Sequence, residues 1–153
     1  MGRHKTRTKN YNKKKSKDYK QVRCPYCGQK LVFRTAEEMG IAEEEGINFW
    51  ACSHYPECDA YVRTKRYSQV PRGTVANGKL RQLRKATHRI FNQLYESGYM
   101  TKGDAYLWLS KIMGCTGQQA HIGQFSEYSC QLVIKEAGKL IANNPRYFRK
   151  GAS

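Results

Sequence analysis

The hydrophobic positions of the chain follow two different periods. Between residues 30 and 64, three short runs rich in β-branched and aromatic residues alternate with turns that contain cysteine. These runs are KLVFR at 30–34, INFWA at 47–51 and AYVRT at 60–64, and their composition is typical of strands. The stretch TAEEMGIAEEEG between the first two is acidic, which predicts a solvated loop or a single helical turn. This part of the chain therefore predicts a small three-stranded sheet.

The later part of the chain shows the period of amphipathic helices, with apolar residues at steps of three and four. The first helix is predicted over 79–97, with Gly98 as the residue that ends it. A second helix is predicted over 101–113, and a third follows Ser126 and stops at Asn143. These three helices predict a compact unit around a small shared core.

Basic residues are unevenly distributed along the chain. The 28 Lys and Arg against 12 Asp and Glu give a net charge of +16 over 153 residues. Residues 1–23 carry a net charge of +9, residues 24–67 carry −2, and residues 68–153 carry +9. A polyanion is the natural partner, because each Lys or Arg on a phosphate releases condensed counterions. Nucleic acid fits better than an anionic membrane, since no basic stretch joins a broad apolar face.

The same sequence predicts a protein that stays inside the cell. It contains no apolar run of the roughly 18 residues that a membrane span requires, so no membrane partner is expected. The basic N-terminus has no apolar segment behind it, so no secretory signal is expected. We therefore expect an intracellular, cytoplasmic protein, in which cysteines are metal ligands or core residues before disulfides.

Four cysteines have the spacing of a zinc site. Cys24 and Cys27 lie in CPYCG, and Cys52 and Cys58 lie in CSHYPEC, with 24 residues between the pairs. Two such turns projecting from a three-stranded sheet form a zinc ribbon, in which four thiolates surround one Zn²⁺ at about 2.3 Å. A closed four-ligand site leaves no position for water or substrate, so the predicted zinc ion is structural and no catalytic residue is assigned.

Three other interpretations of the cysteines fit the sequence less well. CPYC alone is the active-site sequence of glutaredoxins, but that chemistry needs the first cysteine at a helix N-terminus, and a strand-like run follows here. His54 could replace Cys58 as the fourth ligand. Cys115, His121 and Cys130 could form a second metal site, but their irregular spacing and the apolar stripe around Cys130 favour core cysteines.

Together these patterns predict an α+β protein with five segments. A disordered basic tail is predicted at 1–21, where no hydrophobic period exists. A three-stranded zinc ribbon is predicted over 22–66 and a compact three-helix domain over 79–144. A linker rich in Pro and Gly joins them at 67–78, and a basic C-terminal tail follows at 145–153.

The ribbon motifs resemble those of a known family. CPYCGQKLVFR followed by INFWACSHYPECDAYV, over residues 24–62, is similar to the four-cysteine zinc ribbons in the C-terminal region of bacterial type IA DNA topoisomerases. The resemblance implies binding to single-stranded DNA and contact with RNA polymerase. It does not imply strand cleavage, since nothing here resembles that family's catalytic domain or its active-site tyrosine motif.

A second resemblance covers more of the chain. The ribbon followed by PRGTVANGKLRQLRKATHRIF and then AHIGQFSEYSCQLVI, over roughly residues 22–142, resembles a family of bacteriophage and prophage zinc-finger-containing proteins. This resemblance implies the domain order and, for a phage-encoded protein, a location in the bacterial host cytoplasm. It implies no activity.

Three surfaces are candidates for contact with nucleic acid. In the tail, lysines would neutralise phosphates while Tyr11 and Tyr19 stack on bases, or the tail would serve only solubility or localisation. In the ribbon, exposed rings would stack on bases, although Phe49 and Tyr61 are expected to belong to its core. On the first predicted helix, a basic face without acidic residues would contact phosphates. The residues assigned to nucleic acid are Lys13, Lys14, Lys15, Arg34, Trp50, Tyr55, Arg63, Arg81, Arg84, Lys85 and Arg89.

The sequence thus predicts a zinc-dependent nucleic-acid-binding protein that is not an enzyme, with single-stranded DNA favoured over RNA. One alternative is a phage-encoded, protein-binding regulator that contacts RNA polymerase or another transcription or replication protein, with the acidic stretch at 37–45 facing it. Another is an RNA-binding or ribosome-associated basic protein. A nucleic-acid enzyme would need clustered carboxylates or an open metal site, and most of the few acidic residues lie in one stretch.

Overall fold

The computed structural model describes residues 22–115 and 120–148. The chain divides into two compact units, with the boundary between Gly78 and Lys79. The first unit contains a three-stranded antiparallel sheet, and the second is helical. The predicted α+β class is therefore confirmed.

Some of the sequence predictions fall outside the described residues. The basic tail at 1–21 is one of them, together with its assigned phosphate contacts Lys13, Lys14 and Lys15. The last part of the predicted C-terminal tail, at 149–153, and part of the loop before the third predicted helix, at 116–119, are others. These assignments stay predictions.

The sheet of the first unit consists of three consecutive strands. Strand β1 spans Leu31–Thr35, β2 spans Asn48–Cys52 and β3 spans Tyr61–Arg63, with β2 in the centre. Both pairs of neighbours are antiparallel. Each strand begins one residue later than the run that predicted it.

The acidic connection between β1 and β2 begins with one helical turn, α1, at Ala36–Met39. Thr35 caps this turn, because its side chain accepts a hydrogen bond from the Glu38 amide while the Glu38 carboxylate accepts one from the Thr35 amide. Met39 and Ile47 of the connection are buried. The acidic stretch therefore covers part of the sheet as well as facing solvent.

Both faces of the sheet are covered, and different segments cover them. Side chains alternate between the faces along each strand, so the strands contribute to two separate clusters. The cluster on one face comprises Cys24, Leu31, Trp50, Cys52, Ala60, Val62 and Val75. The cluster on the other face comprises Met39, Ile47, Phe49 and Ala51.

The segment predicted as a linker, 67–78, differs from the prediction because it packs on the ribbon. Ala76 and Tyr61 exchange two backbone hydrogen bonds, of 3.0 and 3.1 Å. Val75 is buried in the cluster that contains Trp50. Proline and glycine predicted a linker here, but the two apolar residues give the segment enough surface to bury against β3.

The second unit contains three long helices and two short ones among its described residues. Helix α2 spans Gly78–Glu96, α3 spans Lys102–Met113 and α4 spans Glu127–Asn143. A short 3-10 turn at Ile122–Gln124 precedes α4, and the single turn α5 follows it at Pro145–Phe148. The three predicted helices are therefore confirmed, with bounds that agree to within two residues.

The helical unit has its own hydrophobic core. Thr101 and Ser126 cap α3 and α4 through their side-chain oxygens, as their positions predicted. Cys130 is fully buried and Cys115 packs against the same core, which confirms them as core cysteines. The buried core residues are Phe91, Leu94, Ala105, Leu109, Ala120, Ile122, Phe125, Cys130, Val133 and Ala137. Within the described ranges, no helix has the length and apolar character needed to cross a membrane.

Candidate metal centre and basic surfaces

The four predicted ligands converge on one point. The Sγ atoms of Cys24, Cys27, Cys52 and Cys58 all lie within 4.8 Å of one another. The Cys24 and Cys58 sulfurs are 3.7 Å apart, and the Cys27 and Cys52 sulfurs are 3.3 Å apart. Four sulfurs arranged tetrahedrally at 2.3 Å from zinc would lie about 3.8 Å apart. The cluster therefore fits a tetrahedral zinc ion.

The first cysteine turn is held by its own backbone. The Gly28 amide donates to the Cys24 carbonyl at 2.9 Å, and the Cys24 amide donates to the Gln29 carbonyl at 2.8 Å. Gly28 has a φ of +76°, a left-handed conformation that glycine adopts at little cost. This curl directs the Cys24 and Cys27 side chains to the same side.

The second cysteine turn continues from the central strand. Cys52 is the last residue of β2, and its amide donates to the Ala60 carbonyl at 2.9 Å. The Tyr55 amide donates to the Cys52 carbonyl at 2.9 Å, and the Cys58 amide donates to the His54 carbonyl at 3.0 Å. These bonds bring Cys58 back beside the first turn and close the site.

Backbone amides point at the sulfur atoms, which favours thiolates there. The His54 amide lies 3.4 Å from the Cys52 sulfur, and the Gln29 amide lowers the pKa of the exposed Cys27 thiol. Burial acts in the opposite direction and raises the pKa of Cys52 to about 12 and that of Cys58 above its usual value. Zinc deprotonates the thiols that coordinate it, so Cys52 and Cys58 depend on the metal to become thiolates.

The alternatives to a four-cysteine site can now be compared with the geometry. His54 is exposed and does not belong to the cluster, whereas Cys58 does. Cys24 is followed by a turn and strand β1 rather than by a helix, unlike the glutaredoxin arrangement. In the described part of the chain, the four cysteines are the only grouping of His, Cys, Asp and Glu that could hold a metal ion.

The assignment of Trp50 to nucleic acid is wrong. Its side chain is 0% exposed, and its Nε1 atom donates a 2.7 Å hydrogen bond to the Gln69 carbonyl. The ring packs edge-on against Phe33, with 5.5 Å between centroids. A residue in the middle of a central strand faces the core, so Trp50 holds the ribbon together and cannot stack on a base. Phe49 is buried on the opposite face, as predicted.

The other assigned ribbon residues are half-buried and already contact neighbours. Arg34 donates a long hydrogen bond of 3.5 Å to a carbonyl of the second cysteine turn. Tyr55 packs edge-on against Tyr61 at 5.9 Å between centroids. The Arg63 guanidinium lies 2.7 Å from the Glu43 carboxylate. Arg34, Tyr55 and Arg63 therefore have structural contacts, and their role in binding stays a prediction.

Helix α2 presents part of the basic face that the sequence predicts. Lys85 and Arg89 are exposed, and Arg81 is half-buried. Arg84 differs, because its Nε donates to the Phe125 carbonyl at 3.0 Å in a partly buried position. The outward basic face of α2 is therefore carried mainly by Lys85 and Arg89, and Arg84 supports the helical unit.

The two most exposed tyrosines of the described residues, Tyr67 and Tyr128, were not assigned from the sequence. Tyr67 is 66% exposed, and it lies between cations in the segment assigned to a linker. Tyr128, on α4, is 73% exposed. The signal that could have identified Tyr67 is the sequence Lys65-Arg66-Tyr67, which combines two cations and an aromatic ring at the end of a strand.

Comparison with known proteins agrees with the geometry. A family model described as a zinc-finger-containing domain matches residues 20–140, a range that includes most of both compact units. No curated protein and no solved structure matches the chain significantly. The donor set and the sulfur distances fit one structural zinc ion, held by Cys24, Cys27, Cys52 and Cys58. The chain belongs to the zinc-finger-containing domain family.

Proposed function

We propose that this member of the zinc-finger-containing domain family is a nucleic-acid-binding protein without enzymatic activity, in which zinc maintains the ribbon and basic side chains bind phosphates. The observation that carries the proposal is the exposed basic face of α2. From Gly78 to Tyr95 this helix contains no acidic residue, and Lys85 and Arg89 lie on its surface.

The spacing of these cations suits a linear polyanion. Residues four apart lie on the same side of a helix, separated by about 6 Å along its axis. Arg81, Lys85 and Arg89 therefore form one row, of which the last two are exposed. A row of point charges contacts the backbone of a nucleic acid and does not read its bases. We expect binding that tolerates many sequences and weakens steeply with salt.

Single-stranded DNA is the favoured partner because of the ribbon. Its motifs over residues 24–62 resemble the zinc ribbons of type IA DNA topoisomerases. This resemblance implies binding to single-stranded DNA. Zinc would act indirectly, since a site closed by four sulfurs holds the two cysteine turns and the sheet in place. Removal of zinc is therefore expected to weaken binding through loss of the ribbon fold.

The test measures affinity and salt dependence on the zinc-loaded full chain. Fluorescence anisotropy with labelled single-stranded DNA, duplex DNA and RNA of equal length gives the preferred partner. The double variant Lys85→Gln/Arg89→Gln is expected to weaken binding and to reduce the slope of log Kobs against log salt by about 1.4, since each phosphate contact on a single strand contributes about 0.7.

The matched control removes two exposed lysines elsewhere in the helical unit. Lys111→Gln/Lys135→Gln lowers the net charge by the same amount and is expected to leave most of the slope intact. Equal effects of the two double variants would mean that only total charge matters, which would contradict the assignment to α2. Absence of binding to all three nucleic acids would refute the function and favour the protein-binding regulator, whose complexes would survive nuclease treatment.

A further inference from the structure

The ribbon carries an exposed aromatic and basic loop beyond β3. We propose that this segment, Lys65 to Arg72 and here called the 65–72 loop, stacks a base of a single-stranded nucleic acid on Tyr67. The inference rests on the proposed function and identifies a contact on the ribbon that Trp50 cannot provide.

The Tyr67 ring is presented to solvent in a fixed orientation. Its backbone φ is 55°, a left-handed conformation that tyrosine rarely adopts. The Tyr67 amide donates to the Gly46 carbonyl at 2.8 Å. The ring packs so closely on Gly46 that a Cβ atom at that glycine would lie 2.6 Å from Tyr67 Cδ1. Gly46 thus supports the ring from one side while 66% of the residue remains exposed.

The rest of the loop is attached to the ribbon at several points. The Lys65 amide donates to the Val70 carbonyl at 2.8 Å, and the buried Trp50 indole donates to the Gln69 carbonyl at 2.7 Å. Such a loop is ordered before it binds, so little conformational entropy is lost when a base stacks on it. An exposed aromatic ring that Gly46 supports on one side, in a loop attached to the ribbon, is suited to an interaction surface.

The charges around Tyr67 are mixed, with cations in slight excess. Lys65, Arg66 and Arg72 are exposed, and the Arg66 guanidinium lies 5.1 Å from the centroid of the Tyr67 ring. The exposed acidic neighbours in the β1–β2 connection are Glu44 and Glu45, since Glu43 pairs with Arg63.

This balance decides which interaction the loop contributes. A few cations offset by nearby acids add little to phosphate binding, whereas an aromatic ring stacks on any base. The 65–72 loop therefore supplies stacking and α2 supplies charge. The two contributions have different signatures, because loss of stacking lowers affinity without changing the salt slope, whereas loss of phosphate contacts changes the slope.

The experiment compares variants of Tyr67 in the zinc-loaded full chain. Tyr67→Asn removes the ring, and asparagine tolerates the left-handed backbone; Tyr67→Phe keeps the ring. Tyr128→Asn is the matched control, because Tyr128 is exposed to a similar degree but lies on α4. Anisotropy with labelled single-stranded DNA and RNA oligonucleotides gives the dissociation constant, and bound zinc together with tryptophan emission reports on folding.

We expect Tyr67→Asn to weaken binding by about fivefold or more, the effect of losing one stacked base, with an unchanged salt slope. Tyr67→Phe and Tyr128→Asn should bind as the unmodified chain does. A photo-reactive base in the oligonucleotide should cross-link to the peptide containing Tyr67.

Three results would overturn the inference. If the unmodified chain binds but Tyr67→Asn binds equally well, the proposed function stands and the 65–72 loop faces another partner, such as a protein. An equal loss in Tyr128→Asn would show a general effect of surface tyrosines. If the unmodified chain binds neither DNA nor RNA, the proposed function fails and this inference fails with it.

Discussion

Removal of zinc is expected to unfold the ribbon while the helical unit stays folded. In domains smaller than roughly 70–80 residues, a single hydrophobic core rarely contributes more than about 3–5 kcal/mol to stability. The ribbon is well below this size. A structural zinc ion contributes about 10–16 kcal/mol in comparable small domains. Chelation therefore removes more free energy than the two clusters on the sheet can supply, and the ribbon should unfold.

The helical unit has no metal site among its described residues and contains a separate core. It also contains most of the helix, because α2, α3 and α4 contribute 19, 12 and 17 residues, whereas α1 contributes 4. Circular dichroism at 222 nm should therefore change little when zinc is removed.

The two tryptophans allow each unit to be followed separately. Trp50 is fully buried in the ribbon and Trp108 packs against the core of the helical unit. In a Trp108→Phe variant, chelation should shift the emission of Trp50 to the red, and restoring zinc should reverse the shift. In a Trp50→Phe variant, the emission of Trp108 should stay unchanged.

Two outcomes would refute this reasoning. One is unchanged Trp50 emission in protein shown by elemental analysis to have lost its zinc, which would mean that the two clusters on the sheet suffice. The other is a loss of helical signal in parallel with the ribbon, which would mean that the two units fold as one.

Further predictions concern the ligands, their protons and one ion pair. Cys58→Ser should reduce zinc to well below one ion per chain by elemental analysis, whereas His54→Ala should retain it; the reverse result would make histidine the fourth ligand. Zinc affinity should fall as the pH is lowered from 8 to 6, by about tenfold per pH unit for each proton that zinc displaces. The reason is that burial raises the pKa of Cys52 to about 12 and keeps that thiol protonated until metal binds. Competition with a chromophoric chelator measures this slope, and a flat profile would contradict the assignment. Arg63→Gln should lower ribbon stability by at most about 1 kcal/mol, since it breaks a partly exposed ion pair with Glu43. Urea unfolding at fixed free zinc measures this change. An effect on oligonucleotide affinity but not on stability would place Arg63 in the binding surface instead.

The sequence was most informative where spacing and periodicity reflect local geometry. The sequence spacing of Cys24, Cys27, Cys52 and Cys58 is that of two turns projecting from a sheet. The structure brings all four sulfurs together. The helices were predicted equally well, because capping residues such as Thr101 form their hydrogen bonds within one helical turn.

Side-chain burial was harder to predict because it depends on partners distant in the chain. Trp50 looked like a stacking residue in isolation, but Phe33 and Gln69 enclose it in the fold. The sequence predicts that Arg84 contacts phosphates from the basic face of α2, but in the structure its Nε donates a hydrogen bond to the Phe125 carbonyl. The position of Tyr67 was not predicted, because the Pro and Gly residues that follow it indicated a linker. No local sequence feature indicated its contact with Gly46.

The packing of residues 71 and 76 against the ribbon also has a practical consequence for its solubility. Pro71 pairs with Thr64 and Ala76 pairs with Tyr61, so these residues cover the outer edge of β3. An uncovered strand edge offers its unpaired amides and carbonyls to other chains. A fragment cut after residue 66 should therefore self-associate, whereas one extended to residue 78 should stay monodisperse. The segment is expected to prevent aggregation through the edge of β3, so a fragment designed to isolate the ribbon should include it.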